Sequence, residues 1–226
     1  MTVIWAHRGA SQARPQNTIA AFVEARAQGA DGVELDVRRS RDRALVIHHD
    51  AVLSDGRAIV DLDVGDLPVD VPLLDAVLDV CNDLVVNIEI KNVDVDPDHD
   101  PDEYLAGAVV DLLNERGGRD RTLISSFSLV TIDRVRSLDS DLATGYLASP
   151  RWDQANALAR AVAGGHSAFH PHHLVVNEDL VRQAHDAGLA VNAWTVDEPD
   201  RIRWLVDAGV DAVITNVPVI ARHALR

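Results

Sequence analysis

The run Val85-Val86-Asn87-Ile88-Glu89-Ile90-Lys91 sets an acid and a base two residues apart in an otherwise largely apolar stretch. Residues at i and i+2 of a strand share a face, so both charges leave the same side of one strand. Charges buried in a strand are costly unless they meet each other, a metal or an anion. Lys91 is also the only lysine among 21 Lys and Arg residues, so every other fixed positive side chain is an arginine. The same device occurs in Gly32-Val33-Glu34-Leu35-Asp36-Val37, with two carboxylates at i and i+2. A third apolar strand, Val3-Ile4-Trp5-Ala6, runs into His7-Arg8-Gly9. If the three strands are neighbours, their ends make one site with three carboxylates, a histidine and two cations.

Outward from these strands, short β-rich runs alternate with amphipathic helical patterns. Helices are predicted over 17–28, 73–80, 103–116, 129–138, 153–163, 178–187, 199–208 and from 218 onward. Further strands are predicted at 45–47, 122–125, 144–147, 167–169, 190–194 and 212–214. The step Gln28-Gly29-Ala30, repeated as Ala187-Gly188-Leu189 and Ala208-Gly209-Val210, reads as a helix end leading into the next strand. The alternation gives about eight βα units, the count of a (β/α)8 TIM barrel, whose typical length is ~250 residues. An open doubly wound sheet is the alternative, but no GxGxxG opens a helix after the first strand. No linker interrupts the pattern, so 1–226 is expected to be a single barrel domain.

Composition narrows the function classes. With 47% hydrophobic residues in 226, the chain can bury one large core. A formal charge of −15 disfavours nucleic acid and anionic membrane surfaces as partners. A small anionic substrate stays open, because local cations and a metal can reverse the potential inside a cleft. The lone Cys81 offers no disulfide framework, and its apolar neighbours point to a small buried hydrophobe. A strand begins at residue 3 and no stretch approaches transmembrane length, so a soluble cytoplasmic protein without stable membrane association is expected.

In a β/α barrel the catalytic groups come from the C-terminal ends of several strands, where His7, Arg8, Glu34, Asp36, Glu89 and Lys91 all fall. Glu34, Asp36 and Glu89 are the candidate metal ligands. Three carboxylates without thiolates make a hard oxygen site for one divalent ion, Mg²⁺ or Ca²⁺, with Mn²⁺ also suited. A structural alternative pairs Glu34 and Asp36 with Arg38 and Arg39; recurrence of the device on three strands favours the site. His48-His49-Asp50 supplies a second imidazole, and alternation lets only one of the two histidines face the site. His7 and His49 then form a candidate acid/base pair. Arg8 and Lys91 would neutralise an anion bound beside the metal, and this equipment suits phosphoryl transfer.

Other features read as secondary. The stretch from Asn92 to Asp102 carries aspartates at alternate positions, including Asp94 and Asp102. It lacks the glycine and terminal glutamate of an EF-hand, so a solvated loop whose last acids cap the next helix is expected. His170, His172 and His173 lie near the end of the sixth barrel strand and could reach the mouth. Trp5, Trp152 and Trp204 read as packing.

Taken in order, His7-Arg8-Gly9, Pro15-Gln16-Asn17-Thr18, Gly29 to Val37, His49-Asp50 and Asn87-Ile88-Glu89-Ile90-Lys91 resemble the glycerophosphodiester phosphodiesterases. Ser126-Phe127, Ala193-Trp194-Thr195-Val196 and Gly209 to Thr215 extend the resemblance over nearly the whole chain. It implies a barrel enzyme that uses one divalent metal to hydrolyse a small-molecule glycerophosphodiester to glycerol 3-phosphate and an alcohol. It also implies a mechanism in which a neighbouring glycerol hydroxyl attacks to give a cyclic phosphate. By position, Glu34, Asp36 and Glu89 resemble the metal ligands, His7 and His49 the acid/base pair, and Arg8 and Lys91 the phosphate contacts. Trp194 resembles a wall of the glycerol pocket. A related lyase acting on lysophospholipids and a non-catalytic phospho-ligand barrel are the alternatives. The chain departs from the family pattern at Gln16 and Asn216, where acids are usual, and at Ala51 to Gly56, which replaces a usual Arg-Thr-Thr segment. The stretch before Pro72 is also short.

Overall fold

The computed structural model describes residues 2–225. Strands β1 (Val3–His7), β2 (Gly32–Arg39), β4 (Val85–Ile90), β5 (Thr122–Ser126), β6 (Ala143–Ala148), β7 (Ala168–Pro171), β8 (Ala190–Ala193) and β9 (Ala212–Thr215) pair in parallel. The β1–β2 and β1–β9 pairings close the ring into a (β/α)8 barrel. Its outer layer is α1 (Ile19–Ala27), α2 (Leu74–Val80), α3 (Tyr104–Arg116), α4 (Leu129–Leu138), α5 (Gln154–Ala163), α6 (Glu178–Asp186), α7 (Pro199–Asp207) and α8 (Pro218–Ala224).

Parallel neighbours require a crossover, and the helix boundaries are written locally. Thr18, Ser128, Asp153 and Asn177 each cap a helix by accepting a bond from a backbone N–H three residues on. Pro199 and Pro218 occupy first turns, where the missing N–H costs nothing. Gly29, Gly188 and Gly209 follow α1, α6 and α7 with φ of 78°, 80° and 89°, a left-handed conformation that glycine adopts without penalty.

Side chains alternate along each barrel strand. Val33, Leu35 and Val37 of β2 and Val86, Ile88 and Ile90 of β4 face outward into a core shared with Phe22, Val77, Leu105 and Val109. The lumen holds Val3, Trp5, Val85, Leu123, Ala212, Ile214 and Trp194. His7, Asn87 and Glu89 share the parity of these lumen residues, and Glu34 and Asp36 alternate with the outward Val33, Leu35 and Val37, so all five aim inward.

The apolar run 45–47 is not a barrel stave. It forms β3 (Leu45–Ile47), antiparallel on β2 with Val37 opposite Ile47. This hairpin folds the chain back over the C-terminal end of β2 and delivers His49 to the barrel mouth. The segment after it packs as a small satellite core of Val46, Leu53 and Ile59 against Leu62, Leu67 and Val71.

Candidate active site

The β1 end is built with backbone strain. Arg8 and Asn17 take left-handed φ of 57° and 58°, which cost on the order of 1 kcal/mol each outside glycine. Both are held by bonds: Arg8 N donates to the Glu34 carbonyl at 2.9 Å, and Asn17 N to the Arg8 carbonyl at 2.9 Å. Gly9 follows because an added Cβ would lie 2.6 Å from the Ala21 backbone. The turn brings Arg8 Nε to 3.1 Å from Asp36 Oδ2, while Arg8 Nη1 donates to Gln16 Oε1 at 2.9 Å.

Glu34, Asp36 and Glu89 converge, each offering an oxygen within 4.8 Å of the others, and all three are buried. Lys91 Nζ lies 2.7 Å from Glu89 Oε1 and 3.6 Å from Asp36 Oδ1, and Asn17 Nδ2 donates to Asp36 Oδ2 at 2.8 Å. The electrostatics divide the acids. Burial, then repulsion from Asp36 and Glu89, pushes the Glu34 carboxyl well above its ordinary range. Burial also acts on Asp36, but the Lys91 and Arg8 cations overcome it and hold that carboxyl down at about 2. Lys91 itself resists the downward pull of burial because Glu89 and Asp36 lift it to about 12.

Glu34 Oε1 and Asp36 Oδ1 are buried and accept no hydrogen bond. Buried carboxylate oxygens without a hydrogen bond, on acids that converge within 4.8 Å, are the arrangement a cation resolves, so the donor set fits a divalent metal. With oxygen donors alone, the hard ions are favoured over zinc. Glu34 and Asp36 do not pair with Arg38 and Arg39. Arg38 instead bonds both oxygens of Asp98, at 2.7 and 2.8 Å, and Asp96 at 3.0 Å, and Arg39 lies 3.8 Å from Asp100. The acidic stretch is therefore pinned rather than solvated at its centre, because a nearly buried guanidinium needs partners. Its end behaves as expected, with Asp100 Oδ2 accepting from Tyr104 N at the start of α3.

The two histidines approach the cluster in fixed tautomers. Asn216 Nδ2 donates to Asp197, which turns its Oδ1 toward His7 Nδ1 at 2.7 Å. Nδ1 therefore carries the hydrogen and Nε2 is left as a free base 3.9 Å from Glu34 Oε2. Burial, aided by Arg8, lowers His7 to about 4 despite the Asn216 bond, so the ring is neutral at working pH. His49 Nδ1 donates to Asp50 Oδ1 at 2.6 Å, and its carbonyl accepts from Arg38 Nε at 2.8 Å. His48 turns its Nδ1 to the Asp50 carbonyl and lines a separate depression, so one histidine of the pair faces the site, as alternation requires.

His7, Arg8, Glu34, His49, Glu89 and Lys91 line a cavity of about 190 Å³ whose remaining wall is Asn87, Phe127, Leu147, Trp194 and Ile214. Trp194 is locked by a 2.7 Å bond from its indole N–H to the His170 carbonyl and by the edge of Phe127 at 5.4 Å. His172 meets Trp194 edge-on at 5.0 Å, on the rim. His170 does not reach the mouth. It is fully buried in the lumen, its Nε2 accepting from Asn192 Nδ2 at 2.9 Å, because its strand parity directs it inward. Cys81 is buried, and desolvation pushes its thiol up to about 12, so it is an unreactive packing residue.

Sequence reasoning missed Asn17, Asn87, Phe127, Asp197 and the orienting roles of Asp50 and Asn216. Asn87 alone had a local signal, since it stands two residues before Glu89 and must share its face.

The model of the glycerophosphoryl diester phosphodiesterase family matches residues 7–220, from the first catalytic candidate into α8. The chain belongs to this family. It is 32% identical over 250 residues to a Mycobacterium tuberculosis protein named probable glycerophosphodiester phosphodiesterase 2, spanning 99% of this chain and 90% of the relative. It is 29% identical over 242 residues to the glycerophosphodiester phosphodiesterase of Caldanaerobacter subterraneus subsp. tengcongensis, spanning 96% and 95%. Its fold is similar, with a TM-score of 0.90 and 26% identity, to an Oleispira antarctica phosphodiesterase solved in complex with the product sn-glycerol-3-phosphate, spanning 100% and 97%. Membership makes the chain a phosphoric diester hydrolase. Two of the departures from the family's usual residues keep hydrogen-bonding tasks: Gln16 holds Arg8 and Asn216 orients His7.

Proposed function

We propose that the protein hydrolyses small glycerophosphodiesters to glycerol 3-phosphate and an alcohol, in the cytoplasm and without stable membrane association, using residues 1–226 as one catalytic domain. No helix among the described residues is long and apolar enough to cross a membrane. The observation that carries the reading is the orphaned pair Glu34 Oε1 and Asp36 Oδ1 beside Arg8, Lys91 and two oriented imidazoles.

Glu34, Asp36 and Glu89 would hold one Mg²⁺ or Ca²⁺, with Mn²⁺ a further option. When bound, such an ion supplies Lewis-acid stabilisation of charge on the phosphoryl oxygens. The chain's own residues do the rest. Arg8 and Lys91 orient the phosphodiester, the former through the guanidinium N–H groups that Asp36 and Gln16 leave free. Trp194 covers the glycerol carbons. Neutral His7 Nε2 accepts the proton of the attacking hydroxyl as its oxygen bonds to phosphorus. His49, entering the step as the imidazolium with its Nδ1–H held by Asp50, gives its Nε2 proton to the alcohol oxygen as the P–O bond breaks. The two rings then exchange roles in the return step if a cyclic phosphate forms.

The test is release of glycerol 3-phosphate from a panel of glycerophosphodiesters, with Mg²⁺, Ca²⁺, Mn²⁺ or EDTA, for the parent and His49→Ala. Metal-dependent release that falls by ~10²-fold or more in His49→Ala, the scale of one lost proton-transfer group, is expected. Folded protein that releases none with any metal would refute the reading.

A further inference from the structure

The cavity floor carries a side chain that neither the carboxylate cluster nor the histidines use. Asn87 precedes Glu89 by two residues on β4, so it faces the lumen one step deeper, and it is in register with Glu34 of β2. It lines the catalytic cavity at 1% exposure, and neither its Nδ2 nor its Oδ1 has a hydrogen-bond partner. Buried amides are paired in nearly all folds, since an unmade bond costs the full desolvation of each group. An amide unpaired at both ends and aimed into a cavity is waiting for a ligand.

The chemistry of that ligand follows from what each end needs. A phosphate oxygen only accepts, so it would satisfy Nδ2 and leave Oδ1 bare. A metal ion would take Oδ1 and leave the NH₂ bare. A hydroxyl both donates and accepts. Two hydroxyls on adjacent carbons match the two adjacent ends of one amide, one donating to Oδ1 and the other accepting from Nδ2. The apolar side of the cavity, Phe127, Leu147, Trp194 and Ile214, suits the carbons that carry them.

We infer that Asn87 is a specificity-determining residue that clamps the free vicinal diol of the substrate's glycerol half. The site thereby accepts deacylated glycerophosphodiesters and rejects those whose terminal hydroxyl is acylated or alkylated. This rests on the proposed hydrolysis and deepens it.

The experiment compares the parent, Asn87→Ala and Asn87→Leu on glycerophosphocholine and on its 1-O-methyl ether, with Mg²⁺ present. Sites built to bond a substrate hydroxyl reject the analogue lacking it strongly, so the parent should favour the free diol by at least ~10²-fold in kcat/KM. Both variants should lose at least ~10-fold on the diol and less than ~3-fold on the ether. Calorimetric affinity for glycerol 3-phosphate should fall ~10-fold or more while that for inorganic phosphate holds. Since Asn87 makes no bond in the ligand-free fold, both variants should melt no lower than the parent. Equal losses on the two substrates, or an unchanged glycerol 3-phosphate affinity, would overturn the assignment. A parent inactive on every diester would refute the proposed hydrolysis instead, and the comparison of glycerol 3-phosphate with inorganic phosphate would still decide the diol clamp.

Discussion

Lys91→Met, which keeps length and removes charge, tests the electrostatic frame of the site. Glu89 and Asp36 lift the Lys91 ammonium against burial from 10.5 to about 12, which corresponds to roughly 2 kcal/mol of preference for the charged form. The folded value lies above the unfolded one, so this stabilisation is complete below about 10.5 and is lost only as the pH rises toward about 12. An assay near neutral pH therefore reads all of it. Removing the cation also strands Glu89 beside Glu34 and Asp36, and breaking a buried pair from one side costs ~3–5 kcal/mol. Lys91 and Glu89 side chains are each 11% exposed, which trims that figure, so a loss of ~2–4 kcal/mol is expected. For a chain of this size it lowers the melting temperature by roughly 5–12 °C. The assay is thermal unfolding in EDTA at neutral pH, repeated with Mg²⁺. The divalent ion should stabilise the variant more than the parent, since a carboxylate cluster that has lost its Lys91 counter-ion binds it more tightly. A variant that melts within about 2 °C of the parent in EDTA, with no larger response to Mg²⁺, would refute the reasoning.

Glu34→Gln should raise the stability of the metal-free protein by ~1 kcal/mol, because it discharges a crowded buried carboxyl. It should also abolish the metal-induced melting shift and cut hydrolysis by at least ~10²-fold; calorimetric titration with Mg²⁺ and product release check both. Burial alone lowers His170 to about 3, so the folded ring stays neutral where an unfolded one takes a proton near 6.5. Stability from this group is therefore lost as pH falls through that window, at ~1.4 kcal/mol per pH unit, and urea midpoints of His170→Asn should fall less than the parent's between neutral pH and the acid end. Arg38→Met removes the bonds that hold Asp96, Asp98 and the His49 carbonyl. It should cost ~3 kcal/mol, open the segment from Asn92 to Asp102 to limited proteolysis and lower kcat through a looser His49; unchanged cleavage there would count against the pinned loop.

The barrel was legible because its signals are local and repeated. Alternating strands and helices, Ala-Gly steps and capping residues each act over a few positions, and they agree around the ring. The carboxylates were legible for a related reason, since strand parity alone makes Glu34, Asp36 and Glu89 share the lumen. What escaped depended on distant partners. Nothing near Arg38 announces Asp98, sixty residues away, and nothing near His7 announces that Asn216 will turn its carbonyl oxygen to the ring. Proximity to the strand end suggests that His170 could reach the mouth. Its parity, which puts it in the lumen with Asn192, was the better guide.

The solitary lysine has a physical reason in this frame. Arginine serves where the chain needs a fixed fork, as Arg38 does on Asp98. At position 91 the cation stands between two carboxylates that a metal would also bind. A planar guanidinium locked onto Glu89 would compete with the ion for the same oxygens and could not withdraw without losing two bonds. A compact ammonium on a flexible stem can balance the cluster in the ligand-free fold, then turn to an anionic substrate once the carboxylates have another partner. Lys91→Arg separates these roles: it keeps the charge and most of the fold's stability, and it should weaken Mg²⁺ binding and turnover together, whereas a purely structural cation would tolerate the exchange.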